Sequence, residues 1–262
     1  MRRSCFTLVE LLVVMAVITL FLAVFIPVLT GVRRRARALV CTTHIRQITV
    51  DLIMYDTDHG SFPYGFISQL DPEPPGGFIG DATKDMRGWW WFHLMEGYAD
   101  TRKKELYCPS KSLDDPGLNN NILYGNYGVN RSICKSPHGI QSQAEFAGTP
   151  LCKDEIPQPS RTLLIVDCGY SITSWWHATD IPPVSLDGFR GIGTAYIPGL
   201  EINVEKHLLP GQEHDAIDGR HPNKTVNVGF VGGNVSRCQA DELFVEKRFD
   251  GYKDRILLWT PE

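Results

Sequence analysis

Hydrophobic positions along this chain fall into three regimes. From Phe6 to Val32 they run almost unbroken, with Glu10 and Thr19 the clearly polar interruptions between Leu8 and Leu29. As a helix this stretch is about 40 Å long, enough to cross the hydrocarbon core of a bilayer. Pro27 lies inside it and predicts a kink, because proline lacks an N–H donor and crowds the preceding turn. In the second regime Ile45, Ile48, Leu52 and Tyr55 recur at spacings of three and four. That single stripe predicts an amphipathic continuation of the same helix. Asp56, Asp58, Gly60 and Pro63 then predict its stop.

The third regime, after Pro63, consists of short strand patterns. Asn121 to Val129, Thr162 to Asp167, Thr225 to Val231 with Asn234 to Cys238, and Arg255 to Trp259 are the candidates. Val226, Val228 and Phe230 alternate with Thr225, Asn227 and Gly229, the signature of a half-buried strand. Gly232-Gly233 predicts a two-residue hairpin turn, since both positions tolerate positive φ. Hairpin signals without a repeating βαβ pattern favour an antiparallel sheet. The expected fold is α+β, a long N-terminal helix laid across that sheet. Residues 64 to 120 and 170 to 220 are expected to be largely loop insertions.

Composition narrows the class. Of 262 residues, roughly 200 follow the helix, enough for one domain with a real core. Gly (24) and Pro (17) are frequent enough to favour a loop-rich domain over a helical bundle. The net charge of −4 argues against nucleic acid as a partner. No C-x-x-C occurs, so a zinc ribbon or redox motif is not expected. Besides Cys5 there are Cys41, Cys108, Cys134, Cys152, Cys168 and Cys238. An even set in an exported domain predicts disulfides of open connectivity. The alternative is that several of them are buried free thiols, since Cys packs well as a small hydrophobe.

The extreme N-terminus carries a resemblance. Met1-Arg2-Arg3-Ser4-Cys5 followed by Phe6-Thr7-Leu8-Val9-Glu10 resembles the class III leader of type IV prepilins and type II secretion pseudopilins. The resemblance implies cleavage before Phe6 by a prepilin peptidase, methylation of the new amine, and assembly with other pilin or pseudopilin subunits. Glu10 becomes the fifth mature residue, which the family pairs with a neighbouring subunit's N-terminal amine. Pro27 becomes mature position 22, where pilin helices commonly kink. It implies a pilin-like fold and a single pass through the bacterial inner membrane, with the C-terminal domain periplasmic or in a filament. Cys5 stands where the family has Gly. A lipoprotein signal does not fit, because Cys5 precedes the apolar segment. Two arginines precede that segment, and Arg33, Arg34, Arg35 and Arg37 follow it. Charge bias alone favours a cytoplasmic C-terminal side; the leader is given precedence. The expected divisions are 1–5 leader, 6–32 transmembrane and assembly helix, 33–59 amphipathic continuation, and 60–262 exported domain.

Further segments resemble a large subgroup of prepilin-type bacterial proteins. They are Tyr55 to Pro63, Cys108-Pro109-Ser110, Tyr124 to Asn130, and Pro159 to Leu164. The subgroup's terminal H-x9-D-G element is present only in part. His221 is there, while Gly232-Gly233 occupy the Asp-Gly place. Gly-Gly suits a turn and not a catalytic Asp, so the element is expected to be a hairpin.

Other chemistry is thinner. His214, Asp215, Asp218 and His221 have spacings that can hold a divalent metal, yet they read as a solvated loop. Asp114, Asp115, Asn119, Asn120 and Asn121 offer oxygens for a structural calcium, in a spacing unlike an EF-hand. No cofactor is otherwise expected. Trp89-Trp90-Trp91-Phe92 and Trp175-Trp176-His177 read first as core and second as a ligand platform. No nucleophile elbow, Walker loop or H-E-x-x-H occurs, so an enzyme is not expected. The expected function is a structural subunit of a pilus or secretion pseudopilus. The alternative is an uncleaved, membrane-anchored protein binding polysaccharide or protein. A metal-dependent hydrolase built on His214 to His221 is the third reading.

Overall fold

A computed structural model describes residues 7–68, 88–95, 104–138, 141–184 and 195–260. Helix α1 spans Leu8–His59 without interruption, about 78 Å at 1.5 Å per residue. It opens on a capping box. Thr7 Oγ1 accepts from the Glu10 backbone N–H (3.2 Å), and a Glu10 carboxylate oxygen accepts from the Thr7 N–H (2.8 Å). Pro27 lies within the helix and does not end it. The helix closes at Gly60, whose N–H donates to the Asp56 carbonyl.

The two halves of α1 live in different surroundings. Leu8 to Val32 is exposed at every position but Gly31, and none of it is buried against the described residues. This is the one described helix long and apolar enough to cross a membrane. From Ala38 onward one face is buried. Ala38, Cys41, Ile45, Ile48 and Leu52 return every three or four residues, as the stripe required. Burying side chains such as Ile45, Ile48 and Leu52 contributes about 1.5–3 kcal/mol each.

That stripe lies on a five-stranded sheet. In chain order the strands of the domain are β1 (Phe66–Ile67), β2 (Trp89–Trp90), β3 (Tyr127–Asn130), β4 (Leu163–Asp167), β5 (Ile172–Thr173), β6 (Thr225–Phe230), β7 (Val235–Gln239), β8 (Val245–Arg248) and β9 (Gly251–Asp254). The main sheet runs β5-β3-β4-β6-β7. Its pairs are antiparallel except β3 with β5, which is parallel. Small two-stranded sheets pair β1 with β2 and β8 with β9. Helix α1 rests on β4, β6 and β7.

Strand β6 departs from the expected half-burial. All its residues after Thr225 are buried, because α1 covers the face that carries Asn227 and Gly229. Gly229 is what admits the helix. A Cβ there would meet Thr49 Oγ1 at 2.0 Å and Ile45 Cγ2 at 3.2 Å. The small, polar side of β6 is therefore the helix-facing side.

The β6–β7 hairpin forms as expected, but its turn is longer than two residues. Phe230 N–H donates to the Asn234 carbonyl (3.0 Å) and Gly233 N–H to the Phe230 carbonyl (2.9 Å). The loop is thus Val231 to Gly233, with Gly233 at φ 90°, a three-residue hairpin that places glycine in the left-handed position.

Two further expectations need correction. Arg255 to Trp259 is not a strand. It packs beside Thr162 through a single parallel bridge at Leu258, while Trp259 is buried and its indole N–H donates to the Leu243 carbonyl. The β8–β9 hairpin just before it turns at Phe249-Asp250, beside an Asp250-Gly251 turn signal that the sequence reading did not use. The segments expected to be loop insertions are poor in regular structure yet reach the core. They contribute Trp90, Trp91, Phe92, Tyr196 and Ile197, all buried, and β5 at the sheet edge.

Gly229→Ala should therefore lift α1 off the sheet. We expect a loss of roughly 1–3 kcal/mol, the usual cost of overpacking, read as a lower thermal midpoint of the detergent-extracted full chain. Gly31→Ala, where an added Cβ meets nothing within 4 Å, is the matched control and should not lower it.

Candidate functional site

Two sites emerge, the apolar first half of α1 and a buried polar cluster against the start of its amphipathic half. The first is the exposed apolar segment itself. Glu10, singled out from sequence as needing a partner in lipid, already has one within its own chain. Its carboxylate oxygen accepts from both the Thr7 N–H and the Thr7 hydroxyl, each at 2.8 Å. Thr7 and Glu10 are three apart, the spacing of a capping box. Cys5 and Phe6 lie outside the described residues.

The second site is a buried polar cluster beneath the helix, centred on Arg220 and His221. His221 follows the turn His214–Asp218 and precedes β6. Its Nε2 donates to Asp167 Oδ2 at 3.0 Å, with both side chains fully buried. Asp167 ends β4, one strand over from β6. The same oxygen accepts from the backbone N–H of Asn227 (2.6 Å) and from its Nδ2 (3.0 Å). Asn227 in turn reaches the helix, its Oδ1 accepting from Thr42 Oγ1 at 2.6 Å and from Arg237 Nε at 3.3 Å. Helix, β4, β6 and β7 are thereby joined through one carboxylate and one amide.

Arg220 builds the adjoining half. Its guanidinium holds Asp215 through two bonds, Nε to Oδ1 at 3.1 Å and Nη2 to Oδ2 at 2.6 Å. It also donates to the carbonyls of Asn126 (2.7 Å) and Cys168 (3.1 Å). Tyr196 OH donates to Asp215 Oδ2 at 2.9 Å. Every charge in the cluster is paired, as burial demands.

Electrostatics follow the geometry. Burial pushes His221 towards neutrality, but the Asp167 charge and hydrogen bond outweigh it and raise the imidazole to about 9. Burial also works against the Asp167 carboxylate; His221, then Arg220 and the Asn227 N–H, hold it below the ordinary range. Burial and the nearby Arg220 lower Lys111 to about 7. An open cleft of about 380 Å³ adjoins the cluster, bordered by Arg34, Arg37, Lys111 and Asn223.

The sequence-derived metal cluster does not assemble. Asp215 is committed to Arg220, His221 to Asp167, and His214 pairs with Asp218 at the surface (3.2 Å). Chain proximity had grouped residues that point into different surroundings. Asp115 caps the short helix α2 (Pro116–Asn120) by accepting from the Gly117 and Leu118 N–H groups. The tryptophan clusters are core: Trp90, Trp91, Phe92 and Trp176 are buried. His221 and Gly232-Gly233 sit at opposite ends of β6, about 20 Å apart along a strand of six. Gly232 N–H donates to the Pro159 carbonyl at 2.7 Å, and Asn234 Nδ2 to the Ser160 carbonyl at 3.1 Å. The H-x9 element thus spans a strand, anchored by the buried His at its start and a docked turn at its end. Asp167, Asn227 and Arg220 were missed from sequence, since neither their order nor their spacing marks them as neighbours.

The pH dependence can be stated with its sign. The stability that His221 contributes is complete below its ordinary 6.5 and declines as pH climbs, vanishing once pH passes about 9. That from Asp167 is present above the ordinary 3.8 and is lost as pH falls below it. Urea midpoints of the wild type should drop between pH 7 and 10. Asp167→Asn, which unpairs the imidazole, should be less stable by about 3–5 kcal/mol at pH 6 and should show a much flatter alkaline limb.

Residues 2–26 match the family described as the prokaryotic N-terminal methylation motif, the segment at which prepilin-type proteins are cut and methylated. No curated protein and no solved structure matches the chain.

Proposed function

We propose that the protein is a structural subunit of a type IV pilus or a type II secretion pseudopilus. It is inserted once into the bacterial inner membrane and cut before Phe6 by a prepilin peptidase. The new amine is methylated, and the subunit polymerises through the first half of α1 with its domain periplasmic or in the filament. The observation that carries this reading is the exposed apolar surface from Leu8 to Val32, headed by the methylation motif. About 37 Å of helix with an exposed apolar surface requires lipid or other copies of such a helix. The buried cluster fits this role, because its charges are consumed in pairing and serve to fasten α1 to the sheet.

In this reading Glu10 exchanges partners. In the isolated chain its carboxylate closes the capping box with Thr7. In the filament it meets the methylated amine of a neighbouring subunit's first residue. An ion pair in low dielectric offsets part of the desolvation of each charge and sets axial register.

A second reading, an uncleaved anchored binding protein, draws on Cys5 in place of Gly before the cut. It also draws on a half-open cleft of about 530 Å³ bordered by Glu145, Arg161, Trp175 and Tyr252. Intact mass of the membrane-extracted protein separates the two. We expect a chain beginning at Phe6 with one added methyl group; a chain retaining Met1 to Cys5 overturns the subunit reading. Glu10→Ala should reduce filament incorporation by roughly a hundredfold or more, given about 3–5 kcal/mol for an unpaired buried charge. Protease resistance of the domain should be unchanged.

A further inference from the structure

Cys41 lies on the first buried turn of α1 after it leaves the apolar segment. Cys108 lies 67 positions later, in the loop that crosses beneath that turn, and the two sulfurs are 2.9 Å apart. Both side chains are buried. Cys108 is fixed in place by its backbone N–H, which donates to Asn126 Oδ1 at 3.0 Å. Cys41 Sγ also faces Ser110 Oγ at 3.6 Å. Two sulfurs at this separation are closer than unbonded atoms of their size rest, and about 0.9 Å of side-chain rotation reaches the bonded distance of about 2.05 Å. Among the described residues no other pair of cysteine sulfurs is in contact.

We propose that Cys41 and Cys108 are joined by a disulfide in the protein as it matures, fastening the stem helix to the domain where the helix enters it. The inference rests on the reading that the domain is exported into an oxidising compartment. The oxidant is a dithiol oxidoreductase of that compartment carrying its own disulfide. Because both residues are buried in the finished fold, exchange precedes closure of the 104–126 loop over the helix. The Cys41 thiolate attacks a sulfur of the oxidant and displaces a thiolate. The Cys108 thiolate then attacks Cys41 Sγ in the mixed disulfide and releases the second. Two electrons and the two thiol protons pass to the oxidant, which leaves as a dithiol.

The remaining pairing in the neighbourhood defines the competing occupant. His221 Nδ1 is buried without a hydrogen-bond partner, and a ring nitrogen of His221 lies within 4.8 Å of both sulfurs. A soft divalent ion held by two thiolates and that imidazole is the rival outcome.

The test uses full-length protein extracted from its native host. Thiols are blocked with N-ethylmaleimide in denaturant without reductant, followed by peptide mapping, zinc analysis, and protease accessibility of the domain in spheroplasts. We expect an accessible domain, a Cys41–Cys108 cross-linked peptide two mass units lighter than the dithiol, and less than one zinc in ten chains. An accessible domain with both cysteines alkylated overturns the disulfide and leaves the export reading standing. A protected domain with alkylated cysteines overturns both. One zinc per chain with alkylation only after a chelator replaces the disulfide by a metal site. Dithiothreitol should lower the thermal midpoint of the wild type by roughly 10 °C and should leave that of Cys41→Ser unmoved. A purely packing role would give the same response in both proteins.

Discussion

The stem helix can lie on its sheet only because β6 presents a glycine where a side chain would otherwise stand. Thr49 and Ile45 occupy the space over Gly229, and the helix axis is set by that approach. Once it is so close, Thr42 one face-turn earlier is within reach of Asn227, two residues before Gly229 on the same side of the strand. A polar strand face, unusual against a helix, is thus made serviceable by proximity. Helix backbone and strand backbone approach first, and short side chains complete the seam.

The buried charges follow from the same seam. A carboxylate at the end of β4 would be costly beneath a helix, yet Asp167 is met by an imidazole, a backbone N–H and an amide. Arg220 and Asp215 repeat the arrangement a few ångströms along the chain. Such pairs are weak evidence for stability compared with apolar packing. Their consequence here is selectivity of position: only one placement of α1 lets Thr42 and Arg237 share the Asn227 oxygen.

The long-period features were legible in the sequence and the cross-chain ones were not. The apolar run, the stripe from Ile45 to Leu52 and the stop at Gly60 each depend on residues a few positions apart, so periodicity reveals them. The β6–β7 hairpin is local too, and only its turn length differs from expectation, because Phe230 rather than Val231 pairs with Asn234. Arg255 to Trp259 looked like a strand from its apolar run Ile256 to Trp259; within it Ile256 is exposed and Trp259 alone is buried, by its own indole packing instead of by a ladder. The cluster around His221 escaped notice because Asp167 and Thr42 are distant in the chain. Grouping His214, Asp215, Asp218 and His221 by closeness in sequence put together side chains that the turn disperses. Cys41 and Cys108 were two of six cysteines with nothing to choose among the pairings until the fold brought their sulfurs together.

A continuous helix also counts. Between Glu10 and Cys41 every residue advances α1 by about 1.5 Å and turns it by about 100°, and Pro27 leaves the run unbroken. The azimuth of the domain about the helix axis is consequently fixed by arithmetic. Inserting or deleting one residue in that interval would leave the apolar segment equally apolar and the domain equally folded, yet swing the domain by more than a quarter turn relative to whatever holds the segment. Four residues would nearly restore it, displaced by about 6 Å. The face that the domain shows to its surroundings is therefore set by the length of the run as much as by its composition, which makes this helix a phase-setting spacer between two otherwise independent surfaces.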